Sequence, residues 1–354
     1  MDIRDLRKKI DDIDQQLIES LNKRAEIALE IGKQKRKTKK SFFAPERERQ
    51  VLNKLTSANK GPLPNAALRA IYREIISASR ALEKPITVAY WGPPATNTHM
   101  ASIQRFGSCC DFVAMDTIPD VFSEVERGRA DHGVVPIENS TEGVINHTLD
   151  TFLMSNLKIC SEVYLPITHN LLSNASSVSD IERVYSIPTA TAQCRNWLRA
   201  NLPDAELVDV STTAKGAQLC ADEATSGAIA TSLAAEVYGL KMIAQHIEDN
   251  PQNRTRFLVV GYNEPAPSGK DKTSVMLSVQ HKAGSLFHAM SAFEKYDVNL
   301  TMIESRPTKL TPWEYVFFID CQGHLKDPQV QNALAALEEH TLFLTVLGSY
   351  PEAE

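Results

Sequence analysis

Apolar residues recur three and four positions apart from the first turns of the chain: Leu6, Ile10, Ile13, Leu17, Leu21, Ile27 or Ala28, and Ile31. That spacing is one stripe of a long amphipathic helix. From Leu6 to about Lys37 there is no proline, and the one glycine is Gly32. Arg24 and Lys35 continue the register of the stripe. A cation on a buried face is costly unless something pairs it. The two cations are eleven residues apart, about 20° around the axis and about 16 Å along it. Long side chains leaning together from those positions leave a positively lined gap that suits a small dianion. Arg7 precedes Arg24 by seventeen residues, about 25 Å along the helix. That is out of reach of the gap in one chain and within reach of a second copy packed antiparallel. The helix therefore predicts a dimer with two sites, each completed by its partner.

The pattern breaks at Ser41-Phe42-Phe43-Ala44-Pro45, and Pro45 opens a second helix carrying Glu46, Arg47, Glu48, Val51, Leu52 and Leu55. A third helix is expected from about Asn65 to Leu82, and Pro85 closes an all-helical module over residues 1–84. Residues 85–264 alternate differently. Short strand-like runs at 86–90, 133–137, 184–187, 227–230 and 257–260 lie between helical stretches, which reads as an α/β region. Helices starting near Ser140 and Ser211 would offer free backbone N–H groups to a carboxylate. A linker at 263–270 leads to strand, helix, strand, strand, helix, strand at 273–280, 284–296, 298–305, 313–320, 327–339 and 341–347. That is a third, α+β module over 272–354.

With 354 residues the chain has room for these three modules. The net charge of −6 argues against general nucleic-acid binding. The one dense basic run, Lys33 to Lys40, suits a helix C-terminus. Six cysteines show neither a CxxC spacing nor a Cys/His cluster. Reduced thiols and a cytoplasmic setting are therefore expected, with no metal site. No stretch reaches membrane-spanning length. No glycine-rich phosphate loop or dinucleotide fingerprint occurs, so no cofactor is expected.

Three sets of residues carry resemblances. Leu6-Arg7, Ile10-Asp11, Asp14, Asn22, Arg24, Gly32-Lys33, Lys35, Pro45-Glu46-Arg47-Glu48 and Ser79 with Glu83 resemble the all-helical chorismate mutase family. The resemblance implies an intertwined dimer that turns chorismate into prephenate. Arg7 (from the partner), Arg24 and Arg47 would hold two carboxylates, and Glu48 the ring hydroxyl. Lys35 and Glu83 would bridge the ether oxygen, with Ser79 beside them. Many relatives carry Gln where this chain has Glu83. A carboxylate facing a developing oxyanion repels it, so Glu83 is expected to work protonated, with a raised pKa.

Val135-Pro136-Ile137-Glu138-Asn139-Ser140, Glu142-Gly143 and Asn253-Arg254-Thr255-Arg256-Phe257 resemble prephenate dehydratase, and Leu165-Pro166-Ile167, His169 and Ala192-Gln193-Cys194 support this. That family has two α/β lobes around a cleft, like a periplasmic binding protein. Thr255, with Glu138 and Asn139 close by, would serve the leaving hydroxyl. Arg256 and the backbone near Ser140 and Ser211 would hold the retained carboxylate. Phe257 completes the motif, and Thr96 and Gln193 are further candidates for substrate contact. Two departures fall near the expected cleft. Ala95 replaces the glycine of a Gly-Pro-x-Gly-Thr turn, and Ile187-Pro188-Thr189 replaces His-Pro-Gln.

Gly284-Ser285-Leu286, Asn299-Leu300 and Glu304-Ser305-Arg306-Pro307 resemble the phenylalanine-binding variant of the ACT domain, whose effector sits between two copies. Together the resemblances imply a homodimeric or larger enzyme of phenylalanine synthesis. It would act on chorismate and prephenate, be inhibited by phenylalanine, and have no nucleic-acid or membrane partner. Two alternatives stay open: arogenate or altered decarboxylase chemistry in the middle module, or a middle module that binds without turnover.

Overall fold

The computed structural model describes residues 2–38, 41–308 and 315–353. Lys39 and Lys40 of the basic run, and the first two residues of the strand expected at 313–320, lie outside the described residues. The chain forms two compact units, residues 1–87 with 106–111, and residues 88–105 with 112–354.

Among its described residues the first unit holds three helices, α1 (Ile3–Thr38), α2 (Pro45–Ala58) and α3 (Asn65–Glu83). Pro45 stands at the start of α2, where its missing N–H costs nothing. α3 packs against both other helices. Its buried face carries Ser77, Ser79, Arg80 and Glu83, a polar set that only makes sense beside paired charges. α1 spans 36 residues, about 54 Å, and only Ala28 and Gly32 on it are buried. Of the two alternatives for one stripe position, Ala28 turns inward, while Ile27 is exposed. The rest of the stripe also lies open, from 43 % exposed at Leu21 to 63 % at Ile27.

Among its described residues the second unit contains three sheets. The first lobe orders its strands Asp111–Met115, Thr87–Trp91, His132–Asn139, Arg254–Gly261 and Lys158–Pro166, with Gly143–Val144 beside His132–Asn139. The second lobe orders Lys241–Ala244, Asn170–Ser173, Ser226–Ala230, Arg183–Ser186 and Glu206–Asp209. The chain thus builds most of the first lobe, then the second, and returns at Arg254 to insert a strand antiparallel to both its neighbours. The third sheet is fully antiparallel, ordered Leu300–Pro307, Tyr315–Gln322, Asp271–Ser278, Phe343–Pro351, with helices Ser285–Lys295 and Pro328–Glu338. One apolar core runs from Val135, Ile137 and Leu258 of the first lobe to Met276, Phe318, Leu347 and Tyr350 of this sheet. At Gly348 a Cβ would lie 2.2 Å from the Ile159 carbonyl oxygen, so only glycine admits that approach. No helix among the described residues is long and apolar enough to cross a membrane.

No helix begins at Ser140. The chain turns there into Gly143–Val144, and the next helix is Asn146–Phe152. The reason is local: the Asn139 side-chain oxygen accepts the N–H groups of Thr141 (2.9 Å) and Glu142 (3.0 Å), closing a turn instead. The helix expected near Ser211 is Thr213–Ala221, capped by the Thr212 hydroxyl.

Candidate active sites

In the helical unit, α1 and α3 bring four of the expected residues together. Arg24 donates to the Ser79 hydroxyl, which passes its own hydrogen to the Ile75 carbonyl at 2.7 Å. Lys35 Nζ stands 2.8 Å from Glu83 Oε2. Arg24 and Lys35 are about 16 Å apart along α1, whereas Ser79 and Glu83 are about 6 Å apart along α3. The two cations therefore converge. Gly32 permits this: a Cβ there would sit 3.1 Å from Glu83 Cβ and Cγ. Glu48 of α2 joins through Arg80, whose Nη1 is 2.7 Å from Glu48 Oε1. Arg80 is 4 % exposed, lies against the Phe43 and Phe106 rings and donates to the Phe106 carbonyl at 2.6 Å. Arg36, which donates to the Glu83 carbonyl at 2.8 Å, and Arg80 were not among the sequence candidates. Arg80's signal was a cation on the buried face of α3. Arg47 is exposed, touching Gln50 at 3.4 Å, and Arg7 is exposed on the N-terminal half of α1.

In the second unit a cavity of about 210 Å³ opens between the two lobes. Trp91, Asn97, Thr98, Pro136, Asn139, Glu142, Ile145, Thr255 and Phe257 line it from one side. Ile187, Thr189, Ala190, Gln193 and Thr213 line it from the other, and Ile167, His169 and Asn253 lie where the chain crosses. Asn139 is fixed by its turn, so its Nδ2 must face the site. It donates to Thr255 Oγ1 at 2.8 Å and Asn253 Oδ1 at 3.0 Å. Thr255 Oγ1 is thereby an acceptor, and its own hydrogen is left to point at whatever occupies the cavity. Asn253 Nδ2 donates to Gln193 Oε1 at 3.1 Å, which also meets His169 Nε2 at 2.8 Å. Gln193 Nε2 reaches across to Glu142 Oε1 at 3.0 Å. Among the described residues the lining contains no Arg or Lys, and Glu142 is its one carboxylate. A carboxylate there would be held by neutral donors, among them the N-terminal turn of helix Thr213–Ala221.

Five expected residues stand outside the lining. Thr255 and Phe257 face the cavity, so strand alternation sends Arg256 through the other face, where it is buried among Glu162, Asp320 and Tyr350. It does not hold a substrate carboxylate. Glu138 pairs with Arg256 in the ladder and does not line the cavity. Ser211 is exposed, and Thr213 takes the cavity position. Ser140 acts from behind: its hydroxyl donates to Asn253 Oδ1 at 3.3 Å and accepts the Arg254 N–H at 3.0 Å. Thr96 is spent on its own turn, donating to the Pro93 carbonyl at 3.1 Å. Ile187 and Thr189, at two of those departures, do line the cleft. Ala95 stands at φ +70°, the left-handed conformation its glycine counterpart would adopt freely. Asn97, Thr98 and Thr213 were missed as lining residues; Glu142, His169 and Asn253 were visible only as members of motifs.

In the third sheet, Gly284 stands at φ +83° before helix Ser285–Lys295, which places Ser285 and Leu286 in its first turn. Asn299 precedes the edge strand Leu300–Pro307, and its carbonyl accepts the Gln322 N–H at 2.9 Å. Glu304 and Arg306 lie on the more covered face of that strand and Ser305 on the exposed one. Arg306 pairs with Asp150 of helix Asn146–Phe152 through two contacts, at 3.0 and 3.2 Å.

Known proteins match each part. Residues 6–84 match the type II chorismate mutase family, 88–265 prephenate dehydratase and 273–339 the ACT domain. The bifunctional chorismate mutase/prephenate dehydratase of Aquifex aeolicus is 47 % identical, over 99 % of this chain and 98 % of its own length. That of Stutzerimonas stutzeri is 43 % identical, over 98 % and 97 %. The crystal structure of an Arthrobacter aurescens prephenate dehydratase in complex with L-Phe superposes with a TM-score of 0.71 at 35 % identity, covering 75 % of this chain and 90 % of that one. A helical mutase, a two-lobed dehydratase and an ACT domain thus follow one another in a single polypeptide. The chain belongs to the bifunctional chorismate mutase/prephenate dehydratase family, and is both an isomerase and a lyase.

Proposed function

We propose that the helical unit isomerises chorismate to prephenate, that the cleft then removes carbon dioxide and water to give phenylpyruvate, and that phenylalanine inhibits the sequence through the ACT domain. The first step breaks an ether C–O bond and forms a C–C bond with no atom gained or lost. It needs no nucleophile, only a dianion held in its reactive chair and donors where charge grows on the ether oxygen. Arg24 and Lys35 suit those tasks. Arg7 would complete the site from a second copy, because the open stripe of α1 calls for a helical partner in a homodimer. The setting we expect is cytoplasmic.

In the second step the ring carboxylate leaves as carbon dioxide and its electron pair expels hydroxide. A proton must reach that hydroxide. The observation that carries this reading is the orientation of Thr255: Asn139 occupies its acceptor side, which leaves its hydrogen for the leaving group. Expected of Thr255→Ala is a fall in dehydratase kcat of about 10²–10⁴-fold, with mutase rate unchanged. The first experiment supplies chorismate and follows prephenate and phenylpyruvate, with and without phenylalanine. Phenylpyruvate that falls on adding phenylalanine supports the whole proposal, and prephenate that accumulates and stays refutes the dehydratase step.

A second reading has one observation in its favour. The one carboxylate among the described lining residues, Glu142, suits the ammonium of arogenate. Comparing kcat/KM for prephenate and arogenate decides between them.

A further inference from the structure

Arg256 is 4 % exposed and its guanidinium is fully engaged. Nε donates to Glu162 Oε2 at 2.7 Å and Nη2 to the Tyr350 hydroxyl at 3.0 Å. Nη1 forms an ion pair with Asp320 Oδ2 at 2.6 Å and touches Met302 Sδ at 3.7 Å. Glu162 also takes Lys272 Nζ at 2.9 Å. Two carboxylates and two cations are thus buried together and balance. Burial opposes the charge on Arg256, but Tyr350, Asp320 and Glu162 outweigh it and raise its pKa further above the usual range. Glu162 belongs to the dehydratase sheet. Lys272, Met302, Asp320 and Tyr350 belong to the ACT sheet.

Opposite Arg256 and Phe257 the neighbouring strand His132–Asn139 carries one extra residue, Ile137, so the ladder slips there, while Arg254–Gly261 itself pairs regularly with Lys158–Pro166 as far as Val259. A bulge of this kind loosens the pairing on that side. Thr255, opposite Asn139, is the residue next to the slip. Directional bonds from one rigid guanidinium to partners on several strands restrict how the strand can twist beside it.

We propose that Arg256 is a positioning residue of the dehydratase: anchored jointly by Glu162 and the ACT sheet, it sets the orientation in which neighbouring Thr255 presents its hydroxyl to the cleft. The inference rests on the role proposed for Thr255.

The test uses the full chain with prephenate as substrate and chorismate mutase activity as internal control. Thr255→Ala is assayed first; wild-type kcat there would fail the reading of Thr255 itself, whatever Arg256 does. Arg256→Lys keeps the charge and loses the fork. Its expected dehydratase kcat is at least tenfold lower, with KM within twofold and mutase rate unchanged. Asp320→Asn and Tyr350→Phe, which alter Arg256's anchors from the ACT side, are expected to lower kcat about threefold. Lys272→Gln disturbs the same buried cluster without touching Arg256, so it is expected to lower the melting temperature and keep kcat within twofold. Wild-type kcat in Arg256→Lys overturns the proposal, as does a raised KM at unchanged kcat. Equal kcat losses in Lys272→Gln and Arg256→Lys also overturn it, since cluster integrity alone would then explain both. If Arg256→Lys does not fold, the two ACT-side variants decide, and wild-type kcat in both overturns the proposal.

Discussion

Ala95 holds a conformation that costs an alanine about 1–2 kcal/mol, and its neighbours show how the cost is met. His99 Nδ1 accepts the Ala95 N–H at 3.1 Å, and the Thr231 hydroxyl donates to its carbonyl at 2.7 Å. The His99 ring stacks flat on Tyr90, centroids 4.5 Å apart, and burial lowers its pKa. Only the neutral ring can accept that N–H. A folded pKa below the unfolded one means stability that is complete above about 6.5 and is lost as pH falls below it. The melting temperature is therefore expected to drop from pH 7 to pH 5, and to drop less in His99→Asn. At Glu83 the expectation concerns rate: Glu83→Gln, which keeps the size of the side chain and can donate to an ether oxygen, is expected to retain mutase activity, and loss of that activity would refute a donor role at this position. Arg24 and Lys35 stood out in the sequence as cations in an apolar register, whereas Thr255 was visible only as part of a family motif. Arg256 misled because a motif names neighbours without saying which face of a strand each takes. Thr98 and Thr213 were missed because a neutral residue becomes a cavity wall only through contacts distant in sequence.

Among the elements, α1 carries the largest unsettled account of apolar surface. Its stripe is legible in the sequence because a 3.6-residue period needs no tertiary information. Several strands of the second unit were missed for the opposite reason. Runs such as Glu206–Asp209 and Lys241–Ala244 are short and partly exposed, and only their neighbours make them strands. If antiparallel α1 helices complete each other's sites, Arg7→Ala and Arg24→Ala should each lose mutase activity. Mixing them should restore about a quarter of it, since half the dimers at equal mixing are hybrids with one intact site in two. No recovery after subunit exchange would place Arg7 outside the partner's site. A charge in the stripe, Leu17→Glu, is expected to shift the sedimentation coefficient toward a monomer.

For the whole molecule, the Arg306–Asp150 pair joins the edge strand of the ACT sheet to the helix that follows the cleft loop. If phenylalanine draws Arg306 away from Asp150, the pair opposes inhibition. Asp150→Ala should then lower the half-inhibitory phenylalanine concentration by about fivefold, the equivalent of ~1 kcal/mol of coupling. An unchanged concentration would separate the pair from regulation. The βαββαβ order of this module was readable in advance because its periods alternate cleanly. Its continuity with the dehydratase core, sealed at Gly348, was not, because no local pattern encodes which sheet faces which. The late strand Arg254–Gly261 has a consequence for synthesis. A ribosome making this chain delivers the cleft's first lobe without its inserted strand, then the entire second lobe, before Thr255 emerges. The nascent first lobe therefore exposes two unpaired strand edges while the whole second lobe is being made, and the dehydratase cannot begin to work until the polypeptide is nearly three-quarters made.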